Sequence, residues 1–389
     1  MVVAIIIISS CIKTETRLGG SVVMKRNVLV MLASLFVSTV FAQPMQPSES
    51  WVYQLPLKQD LREVYAKGLC KIDDRYHLFM TAGITYTTKD RKSWDMYYAI
   101  PYKELEGKKL HGGPNPNCGE QPYFTSPSWG LYFWQNNQWV KKDNKLSDEE
   151  GDLSLTTGDR QRMYYGRHDK TQYIVSSEDG WWRPEVLKNL EDYYYLYYQS
   201  EFGFVGQPRK NFLEKPAVHI KGEVVSEITG VKFGIVEGVM LDNKFYMIRR
   251  EGEDGTPLQF TAYRINKDFH GGEVDFSPLY LTEAGPYECY NAQENLAICR
   301  YNKGLVFVAE TPTGIGAVTL PLHEGEGRER ESFYQCTPGV DTLYCDTSSG
   351  KRLYDGLPYW VGTVSEFRYD DIVKRIQDDY HAHRKQSKN

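Results

Sequence analysis

Glu237 is the acidic residue whose sequence surroundings most favour chemistry. It lies in the stretch GIVEGVM, where its neighbours on both sides are apolar or glycine. Such a surround desolvates a carboxyl group and raises its pKa, which suits a group that must donate a proton near neutral pH. The alternative interpretation is a carboxylate on the solvent-facing side of a strand. We treat Glu237 as a candidate proton donor.

A tyrosine-rich stretch is the second candidate. Five of the six residues Tyr193–Tyr198 are tyrosine. Tyrosine is common in strands and on surfaces that bind sugars, so the run alone allows either interpretation. Strict alternation would put Tyr194, Leu196 and Tyr198 on one face and the other tyrosines on the opposite face. The run therefore predicts a strand that packs against neighbouring sheets on both sides.

Four arginines and eight histidines are the other side chains that could bind a ligand or a metal. Arg183, Arg249, Arg250 and Arg300 could clamp a carboxylate ligand. A pair of consecutive arginines on a strand more commonly has one exposed member and one ion-paired member. No CxxC motif occurs, and the eight histidines are scattered, so we predict no metal site and no cofactor.

The N-terminal region resembles an export signal. A basic segment begins at Met24, an apolar core of 13 residues follows, and Val40-Phe41-Ala42 fits a cleavage site. The core is too short for a membrane span, which needs about 20 apolar residues. We predict a signal peptide over residues 24–42 and a mature protein from about Gln43. Residues 1–23 are predicted to be an upstream extension from a misassigned start.

The cysteines agree with export. Cys11 precedes the predicted cleavage site, and six cysteines follow it. An even set in an exported chain predicts three disulfides, with fifteen possible pairings. The close spacings favour Cys289 with Cys299 and Cys336 with Cys345, which leaves Cys70 with Cys118.

Composition excludes some function classes. The net charge is −5 and no long basic tract occurs, so nucleic acid is not an expected partner. Short β-branched or aromatic runs alternate with turn residues after Gln43, which predicts an all-β domain over residues 43–368. Residues 369–389 are predicted to be a short C-terminal helix with a polar tail, because Ile372, Ile376 and Tyr380 recur at helical spacing.

A loose internal repeat favours one all-β architecture. Four hairpin-like segments with Asp- or Asn-rich turns recur at intervals of roughly 50 residues, which suggests propeller blades. The mature chain is long enough for five blades of about 60 to 70 residues or six smaller ones. We predict a five-bladed β-propeller; the alternative is a β-sandwich.

Three segments resemble the five-bladed propeller glycoside hydrolases of family 43, the arabinanase and β-xylosidase group. Tyr76-His77-Leu78-Phe79, followed by GITYTTKDRKSW, is similar to the family's first blade. The spacing from Asp90 to Trp94 fits that blade better than it fits the Asp-box of sialidases. WRPEV with YYYLYYQSEFG is similar to the family's WAPDV segment. GIVEGVMLDNKFYMI is similar to its EGP segment. The resemblance covers residues 65 to 250.

The resemblance implies roles for several residues. Glu237 would be the general acid, and Glu185 would tune it and orient the substrate. Trp182 would lie beside Glu185 at the mouth of the funnel. Arg183, Tyr198 and Arg249 are the other predicted substrate-binding residues. The alternative for Glu185 is a solvated loop carboxylate.

The family's general-base Asp has no counterpart at the expected distance before Tyr76. Asp60 and Glu63 lie a few residues upstream of that position. Inverting hydrolysis needs a second carboxylate about 6.5–9.5 Å from the first. Either Asp60 or Glu63 takes this role after a local shift, or the protein does not hydrolyse.

Three functions follow from these observations. The first is a secreted or periplasmic propeller that hydrolyses or binds arabinosyl- or xylosyl-type glycans as a monomer. The second is a non-catalytic relative that binds a glycan or a protein. The third is a six-bladed, sialidase-like enzyme.

Overall fold

The computed structural model describes residues 45–56, 66–100, 115–119, 122–126, 130–141, 151–154, 162–167, 172–176, 185–187, 193–199, 203–208, 214–221, 224–232, 234–251, 259–277, 287–301, 304–321, 334–354 and 357–386. By its internal contacts the chain divides into residues 1–43 and 44–389. All described residues belong to the second unit. The predicted upstream extension and signal peptide lie outside them and stay predictions.

The described residues form strands, one short 3-10 turn at Thr81–Gly83 and one helix. The strands of the first half are β1 Glu49–Pro56, β2 Ala66–Ile72, β3 Arg75–Met80, β4 Ile84–Thr88, β5 Asp95–Tyr98, β6 Asn115–Asn117, β7 Tyr123–Ser126, β8 Gly130–Gln135, β9 Gln138–Lys141, β10 Gly151–Ser154, β11 Arg162–Arg167, β12 Gln172–Ser176, β13 Glu185–Leu187 and β14 Tyr193–Gln199. Those of the second half are β15 Gly203–Pro208, β16 Val218–Lys221, β17 Val224–Glu227, β18 Ile235–Leu241, β19 Lys244–Glu251, β20 Gln259–Ile265, β21 Gly271–Phe276, β22 Tyr287–Gln293, β23 Leu296–Tyr301, β24 Gly304–Thr311, β25 Gly314–Pro321, β26 Tyr334–Pro338, β27 Thr342–Tyr354 and β28 Leu357–Arg368. The helix, α1, spans Tyr369–Gln386.

These strands form antiparallel meanders of four. Five sheets have four strands each, and an eight-stranded sheet consists of two meanders joined by a short parallel pairing of β21 with β25. We number the blades along the chain: blade 1 is β2–β5, blade 2 β6–β9, blade 3 β10–β13, blade 4 β14–β17, blade 5 β18–β21, blade 6 β22–β25, and blade 7 β26–β28 with β1. The fold is an all-β propeller, as the sequence predicts.

The blade number corrects the expectation. The described residues form seven blades rather than five, with first strands that begin at residues 66, 115, 151, 193, 235, 287 and 334. This is a spacing of about 45 residues, typical of small four-stranded blades. The count of five was wrong because the repeated turns are out of phase. The Asp73-Asp74 turn joins first and second strands, whereas Asn302-Lys303 lies between a second and a third strand.

Blade 7 closes the ring with strands from both ends of the domain. β1 is its outermost strand and pairs with β28 in antiparallel register from Glu49↔Glu366 to Pro56↔Tyr359. Pairing of the first described strand with the last joins the two ends of the described domain by backbone hydrogen bonds. β1 thereby becomes the outer edge strand of blade 7.

The first strands of six blades lie at the centre. β2 contacts β6 and β26, which belong to two other sheets, and β14 contacts β18 and β22 of the eight-stranded sheet. Cys118, just after β6, forms a parallel bridge with Gly339, just after β26. Its amide donates to the Pro338 carbonyl at 2.8 Å. These innermost strands therefore run in the same direction, and they begin at one common end of the ring.

The aromatic content follows from this arrangement. Each blade packs between two others, so its inner strands are covered on both faces; β4, for example, is buried at all five positions. Bulky side chains fill the wedge-shaped space between blades, as Phe79, Phe124 and Trp139 do between blades 1 and 2. Ring pairs of this kind contribute about 0.5–1.5 kcal/mol beyond their area burial.

All three predicted disulfides are present. Cys289 pairs with Cys299, Cys336 with Cys345, and Cys70 with Cys118. The first two join adjacent strands inside blades 6 and 7. The third joins β2 to the residue after β6 and so links blade 1 to blade 2. Three disulfides indicate folding in an oxidising environment.

The predicted C-terminal helix is confirmed. Ile372, Ile376 and Tyr380 are buried against strands of blades 6 and 7. The hydroxyls of Tyr380 and Thr313 are hydrogen-bonded, and Arg384 contacts Asp275 at 3.2 Å. The helix therefore packs beside the place where β21 and β25 pair. In the described part of the chain, no helix is long and apolar enough to cross a membrane.

Candidate functional site

Glu237 lies on an innermost strand. It is the third residue of β18, near the end of the ring where the innermost strands begin, and its side chain is half-buried. The next four residues of the strand, Gly238 to Leu241, are all buried. The side chain of Glu237 is therefore only partly accessible, on the innermost strand of blade 5.

The register of β18 with β19 separates the two neighbouring arginines. Val236 pairs with Arg249 and Ile235 with Arg250, while Glu237 pairs with Ile248. Residues directly opposite each other share a face, and consecutive residues face opposite sides. Arg250 is therefore on the same face of the sheet as Glu237, and Arg249 is on the other. These two arginines do not converge from one strand on a single ligand.

Arg249 packs against the chain segment that enters β18. Its guanidinium covers Gly234, where a Cβ atom would lie 2.9 Å from Nε. Gly234 has a φ of 142°, which favours glycine. The buried Gln207 of blade 4 donates from Nε2 to the Gly234 carbonyl. Arg249, predicted to bind substrate, thus lies on the face of blade 5 that packs against blade 4.

Glu185 occupies a different position in its blade. It is the first residue of β13 and pairs with Ile174 of β12. β13 is the outermost strand of blade 3. Three strand spacings of about 4.8 Å separate it from the innermost strand of its own blade. The backbone therefore puts Glu185 and Glu237 at opposite margins of two different blades, and their joint catalytic role stays a prediction.

The remaining predicted residues have no described side-chain contacts. Trp182, Arg183 and Asp60 lie outside the described residues. Tyr198 lies on β14, the innermost strand of blade 4, and pairs with Phe204. The register shifts between Tyr195 and Tyr197, so a bulge interrupts the strict alternation that was expected for the tyrosine run. The run forms a blade strand, as the sequence predicts, and the sheet order makes it the innermost strand of blade 4.

The blade 1 segment TTKDRKSW forms an ordered turn between β4 and β5. Asp90 accepts hydrogen bonds from the Lys92 and Ser93 amides and from the Thr88 hydroxyl. These bonds hold the pKa of Asp90 well below its usual value, led by the backbone amides of Ser93 and Lys92. The turn presents Arg91, whose φ is 64°. This motif therefore has a structural role that needs no ligand.

Two buried titratable groups were not identified from the sequence. His77 bonds the Tyr97 hydroxyl through Nδ1 at 2.8 Å, and burial lowers its pKa to about 4. Asp346 is buried in blade 7, and burial raises its pKa to about 7. Asp346 lies in the stretch CDTSSG, whose composition is typical of a turn. Hydrophobic alternation on the distant partner strands was the only signal for its burial.

No metal site is present in the residues that the structure describes. No group of three or more His, Cys, Asp or Glu side chains there is arranged to hold an ion.

Comparison with known proteins gives fold-level similarity only. No family model and no curated protein matches the chain. It resembles YCF48 from Cyanidioschyzon merolae at 9% identity and a TM-score of 0.41, over 82% of this chain and 99% of that one. A chain of a mitotic checkpoint complex matches at 7% identity and a TM-score of 0.43, over 83% and 94%. The α-L-arabinofuranosidase PaAbf62A from Podospora anserina, solved with cellotriose, matches at 10% identity and a TM-score of 0.29, over 82% and 98%. These scores are too low to assign an activity.

Proposed function

We propose that this protein is an exported propeller that binds a carbohydrate ligand at the end of the ring where the innermost strands begin. The observation that carries the proposal is the half-buried Glu237 on the innermost strand of blade 5. A carboxylate in that position can accept hydrogen bonds from sugar hydroxyls in a partly desolvated setting, where each bond is stronger than in water.

Export is supported by two independent features. The segment from Met24 to Ala42 has the pattern of a signal peptide. The three disulfides require an oxidising compartment for their formation. We propose a secreted or periplasmic location and a monomeric protein.

Hydrolysis is the second candidate function. It requires Glu237 as proton donor and a second carboxylate as base, about 6.5–9.5 Å away. Asp60 is the proposed base because it lies in the segment that leads into β2, an innermost strand like β18. Glu185 keeps its proposed role in orienting a bound glycan, together with Trp182 and Arg183. An arabinosyl or xylosyl glycan is the proposed substrate class.

The experiment measures binding and turnover separately. Purified mature protein is applied to a glycan array and is incubated with aryl-arabinofuranoside, aryl-xyloside and aryl-sialoside. We expect Glu237→Gln to weaken glycan binding at least 10-fold, because the amide keeps the size of the carboxylate but loses its charge. Glu273→Gln is the matched control, since Glu273 is exposed on the outer strand of the same blade.

The outcomes separate the two candidates. Turnover of any aryl glycoside that Glu237→Gln abolishes supports hydrolysis, and binding without turnover supports a binding protein. A wild-type protein that binds no glycan contradicts the proposal. Equal binding by wild type and Glu237→Gln, with equal thermal stability, removes Glu237 from the site.

A further inference from the structure

Asp346 has an unusual setting for a carboxylate. It lies on β27 in blade 7, pairs with Val364 of β28, and exposes only 2% of its surface. Its Oδ2 accepts a hydrogen bond from the Tyr53 hydroxyl at 2.9 Å. Its Oδ1 is also buried and has no hydrogen-bond partner among the described residues. The described part of the chain therefore offers this carboxyl group one donor.

That donor comes from the strand that closes the ring. Tyr53 lies on β1, directly opposite Gly362 of β28. A Cβ atom at position 362 would overlap the Tyr53 ring, so glycine there lets the tyrosine cross β28 and reach β27. The bond joins residues 293 positions apart in sequence. It ties the outermost strand of blade 7 to the interior of the blade.

The other charged side chains between blades 7 and 1 form hydrogen bonds and ion pairs with one another. The described titratable and charged side chains that face the space between blades 7 and 1 include Tyr76, Arg91, Tyr344, Glu366 and Glu49. Arg91 bonds the carboxylates of Glu49 and Glu366 and the Tyr76 hydroxyl. No cation among the described residues forms an ion pair with Asp346.

The direction of the pH dependence follows from burial. Desolvation raises the pKa of Asp346 from 3.8 to about 7, and the Tyr53 hydrogen bond opposes this only in part. The folded protein then keeps a proton that the unfolded chain releases. A raised carboxyl pKa means that the contribution of Asp346 to stability is fully present below about pH 4 and is lost as pH increases to about 7.

We infer that Asp346 and Tyr53 form a pH-dependent latch on the ring: β1 is held most firmly when Asp346 is protonated and is loosened when that proton is lost. In the protonated state the carboxyl accepts from Tyr53 without a buried charge. In the ionised state the buried charge has a single donor, and the Tyr53 bond offsets only part of the cost of burial. Because β1 and its Tyr53 cover Asp346, opening of β1 hydrates the carboxylate and removes that cost, so ionisation favours the opening of β1.

The test compares the pH dependence of unfolding between variants. Wild type, Asp346→Asn and Asp268→Asn are melted at pH 5 and pH 8. Asparagine keeps an acceptor for Tyr53 but cannot ionise. We expect the Tm of the wild type to fall by about 5 °C more than that of Asp346→Asn over this interval. Asp268 is exposed on a turn of blade 5, so Asp268→Asn should follow the wild type.

A second measurement localises the effect. Hydrogen-exchange protection factors are determined for amides of β1 and of β19 at both pH values. We expect protection in β1 to fall at pH 8 by at least 10-fold more than in β19, and this difference to disappear in Asp346→Asn. Equal loss in the two strands contradicts a latch on β1. Parallel Tm curves for wild type and Asp346→Asn overturn the inference altogether.

Tyr53→Phe keeps the test decisive if Asp346→Asn does not fold. This change leaves the ring in place and removes the hydroxyl donor. A hydrogen bond to a carboxylate is stronger than one to a neutral acid, so the latch predicts a larger Tm loss at pH 8 than at pH 5. An equal loss at both values contradicts it.

Discussion

Two junctions of the ring both contain packed apolar side chains, and the junction between blades 7 and 1 adds a polar network built around one arginine. Between blades 7 and 1, Arg91 bonds Glu49 and Glu366 and lies over the Trp51 ring, 5.0 Å from its centroid. Trp51 also donates to Glu366 at 2.8 Å. Around blade 6, Leu, Ile, Val and Phe side chains pack against blade 5 and α1, and Glu310 accepts bonds from Lys244 and Tyr246 of blade 5.

The two junctions differ in how much chain connectivity helps to align their strands. Trp51 and Glu366 are 315 residues apart, so chain connectivity does little to align β1 with β28. Directional bonds lose their geometry when a strand slips by one residue, and the slip also turns the buried side chains to the other face of the sheet. The polar network thus selects the register of closure. Blade 6 is formed from consecutive hairpins whose short turns already set their register.

The largest expected effect concerns the apolar packing around blade 6. Ile376→Ala in α1 removes a buried side chain that packs at Gly316 beside the pairing of β21 with β25. We expect a loss of about 2–5 kcal/mol in the free energy of unfolding, as for other buried Ile→Ala changes. Urea denaturation measures it. The loss should not depend on salt, and a loss below about 1 kcal/mol would mean that α1 contributes little to the ring.

A substitution at the junction of blades 7 and 1 should destabilise the protein less, and the loss should depend on salt. Arg91→Met keeps much of the packing on Trp51 but removes the bonds to Glu49, Glu366 and Tyr76. We expect about 1–2 kcal/mol of destabilisation at low ionic strength. Part of this should disappear in 0.5 M salt, because the network is partly exposed and screened. A salt-independent loss would show that packing rather than charge matters at this junction.

The smallest effect is expected on the outer face of α1. Lys374→Ala removes an exposed i,i+4 pair with Asp378 at 2.5 Å. Such pairs contribute about 0.3–0.5 kcal/mol, so the Tm should change by about 1 °C. The same measurement on Ile376→Ala gives the contrast between the two faces of one helix. A change in Tm comparable to that of Ile376→Ala would contradict this assignment of faces.

Local pattern predicted much of the architecture. The all-β class, the C-terminal helix with its buried Ile372 and Ile376, and the three disulfide pairings are all confirmed. Each depends on residues close in sequence or on elimination among few cysteines. The assignment of the tyrosine run to a blade strand is also confirmed.

The relative positions of the predicted site residues are harder to derive from the sequence than the strands and the helix are. Glu185 and Glu237 each lie in a motif-like stretch, but their separation depends on which strand of which blade each motif joins. Asp346 shows the same limit. In sequence it stands among Cys, Thr and Ser as a turn residue would, and it is buried only because β1 and β28 return from the two ends of the chain to cover it.

Sequence alone therefore decided the features set by short-range periodicity and by cysteine spacing: strands, the final helix, the disulfides and a propeller as the favoured arrangement. Tertiary structure decided the seven blades of the described residues, the opposite facing of Arg249 and Arg250, the separation of Glu185 from Glu237, and the burial of Asp346 beneath Tyr53. All of these depend on strand pairings between distant residues, and local composition carries almost no information about such pairings.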